Sequence, residues 1–162
     1  MGRMTIRTAL VPVAEIFDLR RSVLRPGFPP EDAVFPEDAL PDSFHVAAYD
    51  EDGALTACVT FFPEAFPERT APMADAPAYR FRGMASAPAV RGRGHGAAVL
   101  RAGLDRAAEQ GARLVWCNGR TSARGFYERQ GFTAVGEEFD LPPIGPHHVF
   151  AITVGGAGDG SP

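Results

Sequence analysis

The stretch V-R-G-R-G-H-G-A places glycine at positions 92, 94 and 96, between an extended run and an amphipathic one. Glycine tolerates positive φ and lets a backbone approach a ligand with no side chain in the way. Downstream, Ala97, Leu100, Leu104 and Ala107 recur at helical spacing, with Arg101, Asp105, Arg106 and Glu109 on the wet face and Gly111 as a natural stop. A helix over about 96–110 is expected. Free N–H groups at its start, with the positive end of its dipole, make an anion site suited to a pyrophosphate. Arg91 and Arg93 add charge beside it. Two common uses of such a turn do not fit. A dinucleotide fingerprint needs glycine at 97 or 99, where Ala97 and Val99 stand. A Walker-type loop needs a lysine, and all 16 basic residues here are arginine.

The lack of lysine also removes Schiff-base chemistry and a lysine base. A net charge of −4 argues against a broad nucleic-acid surface. At 162 residues the chain reads as one domain over 1–154 with a flexible tail, 155–162. Pro12 and Glu15 interrupt the only early apolar stretch, and no run reaches the length of a membrane span. A reducing cytoplasm is therefore the expected setting. Cys58 and Cys117 lie in strand-like runs and read as buried free thiols.

Thr5 to Val11 reads as a strand, and Val13 to Leu24 as a helix. In that helix Ile16, Leu19 and Val23 face inward and Glu15, Asp18, Arg20 and Arg21 outward. Glu31 to Ser43 is acidic and proline-punctuated, with room for one short helix. Phe44 to Tyr49 and Ala54 to Phe62 form a hairpin across Asp50-Glu51-Asp52-Gly53. Further strands are expected over 78–85, 113–118, 132–139 and 147–154, and a short helix over 121–130. Hairpins mixed with crossovers imply a mixed sheet with helices on both faces.

Arg91-x-x-Gly94-x-Gly96 resembles the Q/R-x-x-G-x-G/A signature of the GNAT superfamily of acyl-CoA N-acyltransferases. The preceding R-F-R-G-M-A-S (80–86) looks like that family's fourth strand. Downstream, A-R-G-F-Y-E-R-Q-G-F (123–132) is similar to its A-x-x-F-Y-x-x-x-G-F motif. The block from Arg80 to Phe132, about a third of the chain, carries the resemblance. V-L-R-P-G (23–27) and I-G-P-H-H-V-F (144–150) look like weaker features of small bacterial members.

The resemblance implies a mixed, twisted sheet of about seven strands flanked by helices and splayed between the fourth and fifth, with acetyl-CoA as acyl donor. It places Met84, Ala85 and Ser86 beside the pantetheine and acyl chain, a backbone N–H of Met84 or Ala85 facing the thioester oxygen. It assigns the pyrophosphate to Arg91, Gly92, Arg93, Gly94, His95, Gly96 and Ala97, chiefly through backbone N–H groups, and the pantetheine arm to Asn118. It makes Tyr127 the general acid that protonates the departing thiolate. His95 is then a loop donor or an exposed residue. The acceptor is a primary amine of a small molecule or peptide, attacked directly in a ternary complex, and a homodimer stays open.

Glu64, Glu68, His45, His147 and His148 are all open as the general base. His147 and His148 are consecutive in a strand and point to opposite faces, so they do not chelate one metal together, and no metal site is expected. Trp116, Phe126 and, by preference, Phe61, Phe62 and Phe66 read as core, and Arg80 and Arg82 as solvated strand residues. The alternatives are a non-catalytic acyl-CoA-binding module and a nucleotide-binding α/β domain. Retention of Tyr127 counts against the first. The glycine spacing and the missing lysine count against the second.

Overall fold

A computed structural model describes residues 5–155, so the expected tail lies outside the described residues beyond Gly155. The strands are β1 (Arg7–Val11), β2 (Phe44–Tyr49), β3 (Leu55–Pro63), β4 (Ala78–Ser86), β5 (Leu114–Arg120), β6 (Thr133–Leu141) and β7 (Gly145–Thr153). The α-helices are α1 (Val13–Leu24), α2 (His95–Glu109) and α3 (Arg124–Arg129). Short 3₁₀ turns occupy Pro30–Ala33, Pro36–Ala39, Pro88–Val90 and Thr121–Ala123. The acidic segment thus holds two turns, each opened by a proline whose fixed φ suits a first helical position, where one was expected.

The described residues form one seven-stranded mixed sheet in the order β1-β2-β3-β4-β5-β7-β6. β4 and β5 are parallel and pair only at Ala78↔Leu114, Tyr79↔Val115 and Arg80↔Trp116. Both strands run on past that ladder, to Ser86 and Arg120. The chain divides into two compact units: residues 5–62 with Phe81–Leu104, and Pro63–Arg80 with residues 105–155.

In the first unit the β2–β3 hairpin closes through a local turn. Asp50 Oδ1 accepts from the N–H groups of Asp52 and Ala54, and Gly53 takes φ +82°. Helix α1 packs Ile16 against Ala47, Tyr49, Cys58 and Ala85. Helix α2 packs where Gly103 lacks a side chain: a Cβ there would collide with the Phe61 ring. Cys58 and Phe61 point to opposite faces of β3, so the two helices cover opposite faces of that strand.

The structure corrects the outward placement of Arg20. Its side chain is 0% exposed. The guanidinium donates to both carboxylate oxygens of Asp38 at 2.8 and 2.9 Å, to Ala33 O at 2.9 Å and to Thr60 Oγ at 2.7 Å. It also lies over the Phe35 ring at 4.0 Å, and Arg82 lies over the same ring at 3.9 Å. Arg82 in turn donates to Glu37 at 3.1 Å. Phe35 rests on Gly83, where a Cβ would stand 2.7 Å from the ring and the φ of +70° favours glycine. Arg82 is therefore not the solvated residue expected.

In the second unit Phe66, Leu114, Trp116, Val149 and Ala151 form the core. Trp116 Nε1 donates to Glu64 O at 3.0 Å. Arg80, also expected in solvent, stacks over the Trp116 ring at 5.1 Å and pairs with Glu64 at 3.4 Å. Phe126 is only half-buried, because α3 turns Tyr127 inward in its place.

Candidate functional site

The first unit carries the expected donor-binding residues of β4 and the glycine turn. Arg91, Gly92, Arg93 and Gly94 are exposed. Gly92 and Gly94 take φ +80° and +93°, and a Cβ on Gly92 would meet nothing within 4 Å. Helix α2 starts at His95, and its first backbone bond runs from Ala98 N to Gly94 O at 2.9 Å. The N–H groups of His95, Gly96 and Ala97 have no backbone partner among the described residues. Exposed left-handed glycines followed by three free amides and the positive helix end form an anion cradle. Gly96 has a separate reason to be glycine. A Cβ there would stand 3.2 Å from Ser86 Oγ, so the missing side chain lets the helix start lie on the end of β4.

His95 is not the exposed loop residue expected. It is 1% exposed, and its Nδ1 pairs with Thr56 Oγ at 2.7 Å, which also donates to Ala48 O. It anchors the first turn of α2 to β3. On β4, Met84 and Ser86 are half-buried and Ala85 is in the core. Ala85 can therefore offer a ligand only its backbone. Beside it Cys58 Sγ donates to Gly83 O at 3.8 Å, and burial pushes this thiol up to about 11.

The second unit carries Asn118 and Tyr127, on opposite faces of β5. Asn118 follows Trp116 in the alternation and is half-buried. Tyr127 is 7% exposed and stacks on Phe150 at 4.7 Å. A Cβ on Gly119 would stand 2.6 Å from the Tyr127 ring and 2.8 Å from Phe150. The Tyr127 hydroxyl bonds the Cys117 thiol. Burial, then the neighbouring Cys117, holds the phenol well above its ordinary value. Burial pushes Cys117 itself up to about 12. Both cysteines are free and buried, as expected. Gly119 and Cys117 are the partners of Tyr127 that sequence reasoning missed. A glycine at the end of a strand next to an aromatic-rich helix was the available signal.

The five candidate bases fall in different settings. His45 Nδ1 meets Thr60 Oγ at 2.8 Å, and burial pushes the imidazole down. Glu64 pairs with Arg80. Glu68 lies against Gly136, whose Cβ would stand 3.0 Å from its carboxylate. His147 Nδ1 meets Gly145 O at 2.7 Å, and His148 Nδ1 meets Thr121 Oγ at 3.1 Å. No group of three His, Cys, Asp or Glu side chains able to hold a metal occurs among the described residues. No helix among them is long and apolar enough to cross a membrane.

Known proteins match most of the chain. The model of the acetyltransferase (GNAT) family matches residues 13–132. The N-acetyltransferase YitI of Bacillus subtilis (strain 168), itself uncharacterized, is 34% identical over 144 residues, covering 89% of this chain and 93% of YitI. Among solved structures, an acyl-CoA N-acyltransferase from Pseudomonas aeruginosa superposes with TM-score 0.68 at 20% identity, covering 91% of this chain and 99% of that one. Arabidopsis thaliana NAA60, solved in complex with acetyl-CoA, superposes with TM-score 0.70 at 14% identity, covering 94% of this chain and 100% of that one. The seven-stranded mixed sheet with its parallel β4–β5 pair is the fold these proteins share. The family model and the curated relative together show that this chain is an acyltransferase enzyme belonging to the GNAT family of acetyltransferases.

Proposed function

We propose that the chain acts as one acyltransferase domain that moves an acetyl group from acetyl-CoA to a primary amine by direct attack in a ternary complex. The observation that carries the donor assignment is the anion cradle: Gly92 and Gly94 at positive φ, then the unpaired amides of His95, Gly96 and Ala97. It suits a pyrophosphate, which needs backbone donors and no side-chain bulk. Arg91 and Arg93, both exposed, add charge at its rim. Met84 and Ser86 line the pantetheine and acyl chain on β4. A backbone N–H of Met84 or Ala85 serves as the oxyanion donor. Asn118 binds the pantetheine arm, and Tyr127 protonates the leaving thiolate. Direct attack is supported by the thiols: both are buried and held protonated, so neither offers a thiolate for an acyl-enzyme. The acceptor is a small-molecule or peptide amine.

A thermal melt with acetyl-CoA, and with NADH and ATP as controls, tests the donor. At about 100 times its dissociation constant a ligand adds about 2.7 kcal/mol. For a chain of this size that raises the midpoint by roughly 5–10 °C. The expected result is a shift with acetyl-CoA alone. An equal shift with NADH, or none with acetyl-CoA, overturns the assignment.

A further inference from the structure

Resting on that acyltransferase reading, we infer that His147 is the general base that takes the proton from the attacking amine. The carbonyl of Gly145 has no proton, so the 2.7 Å contact to His147 Nδ1 requires Nδ1–H as donor. In the neutral ring Nε2 then carries the lone pair. Gly145 is glycine for a reason that serves this contact. Its φ of +120° lies in the left-handed region, so a side chain there would strain the backbone that aims its carbonyl. The ring is 5% exposed and stacks on Phe139 at 6.0 Å and 28°, which fixes its plane. Nε2 makes no hydrogen bond among the described residues. A fixed tautomer, a held plane and a free lone pair are what a base needs.

Its place on the sheet agrees. In the β5–β7 ladder Arg120 opposes His147 and Asn118 opposes Val149. His147 therefore projects from the same face as Asn118, the pantetheine residue. Tyr127 lies on the opposite face, over Gly119. A tetrahedral carbon holds the entering nitrogen and the leaving sulfur on separate bonds, so base and acid approach from different sides. Three of the other four candidates are committed or misplaced, and the fourth, Glu68, makes no side-chain hydrogen bond among the described residues that would orient its carboxylate. Glu64 neutralises Arg80, Glu68 packs against Gly136, and His45 is buried in the Arg20 network of the first unit. His148 faces the Tyr127 side, tied to Thr121, whose hydroxyl donates to Glu138 at 2.8 Å.

The amine nitrogen forms a bond to the thioester carbon, and its proton passes to His147 Nε2. The carbon–sulfur bond breaks, and the thiolate takes the Tyr127 proton. The imidazolium loses its proton to solvent, and the phenolate regains one from solvent. The products are the acetamide and free CoA.

Two measurements on the full chain test this. In the first, ¹⁵N-histidine labelling reads the tautomers of the four histidines, assigned through single replacements. His147 is expected as the Nδ1–H form, with its signals moved by acetyl-CoA. An Nε2–H form, or signals indifferent to bound acetyl-CoA, overturns the assignment without any acceptor. In the second, His147→Asn keeps a donor for Gly145 O and removes the base, and His148→Asn is the control. With spermidine, kanamycin, L-lysine and a peptide amine as acceptors, turnover by His147→Asn is expected to fall ~10²–10⁴-fold. Acetyl-CoA affinity should stay within about twofold, added imidazole should restore part of the rate, and His148→Asn should transfer at the parent rate. A parent that binds no acetyl-CoA overturns the proposed function. A parent that binds it, with His147→Asn transferring as fast, overturns only the role of His147. If no amine is acetylated, the tautomer measurement decides.

Discussion

Tyr127 keeps its proton because of where its hydroxyl sits. It is buried, bonded to a thiol that is itself held protonated, and clamped between Phe150 at 4.7 Å and Phe132 at 5.8 Å. A phenol so raised stays protonated at neutral pH and is a weaker acid than a free phenol, so the proposed transfer needs the thiolate to form within hydrogen-bond reach of the hydroxyl. Two substitutions separate the hydroxyl from the ring. Tyr127→Phe keeps the packing and should lower kcat ~10²–10³-fold with acetyl-CoA affinity and melting point nearly unchanged. Gly119→Ala keeps the hydroxyl but sets a Cβ within 2.6 Å of the ring, so the ring must move. It should cost about 1–3 kcal/mol in stability and lower kcat as well. Steady-state kinetics with a melt on each variant checks both. A Tyr127→Phe variant that transfers at the parent rate removes the phenol from the mechanism.

At the scale of elements, the segment from Pro30 to Ala39 is held by the buried Arg20–Asp38 pair together with Arg20 to Ala33 O, Arg82 to Glu37 and the packing of Phe35 on Gly83. Asp38 accepts two hydrogen bonds from Arg20, and Phe35 lies between the Arg20 and Arg82 guanidiniums. Asp38→Ala leaves the Arg20 charge buried and unpaired, a change that costs about 3–5 kcal/mol. The melting point should drop by roughly 6–20 °C. Arg20→Met with Asp38→Leu should recover most of that loss, because it removes both charges together. Denaturant titration of the single and double variants decides, and a double variant as weak as Asp38→Ala refutes the account. The same pair shows what a sequence hides. Helix α1 was legible to the residue, Val13–Leu24, and the hairpin was legible because the contacts of Asp50 lie within four residues. Arg20 was misread because its charge outweighed its position. It stands four residues after Ile16 and three before Val23, on the inward stripe, and its partner lies 18 residues away. His95 was misread for the same reason, since Thr56 is 39 residues upstream. Polarity says outward until a distant partner is known. The glycine turn was legible because positive φ is a local property, whereas the fit of Gly119 to Tyr127 depends on β7 delivering Phe150.

For the whole molecule, two titrating groups of that one network should make stability fall in acid in two steps. Thr60 Oγ accepts from Arg20, which leaves its own proton for His45 Nδ1. Burial, and then the Arg20 charge, push His45 below its ordinary 6.5, against the pull of Asp38. The neutral ring is thus the folded form, and the unfolded chain binds the proton more readily. Stability from His45 is full above about 6.5 and erodes as pH falls from there towards the lowered folded value. Burial alone would raise Asp38, but hydrogen bonds from Arg20 and the Phe35 amide, with the Arg20 charge, bring it below its ordinary 3.8. Its contribution is present above that value and is lost as pH falls through the folded one. Unfolding free energy from urea titrations at pH 8, 6.5, 5, 4 and 3 should therefore decline first below 6.5 and again below about 3.8. His45→Gln, with no proton to gain, should flatten the first decline and leave the second. Were the first decline to keep its slope in that variant, His45 would not be its source, and the link between acid and the Arg20 network would rest on Asp38 alone.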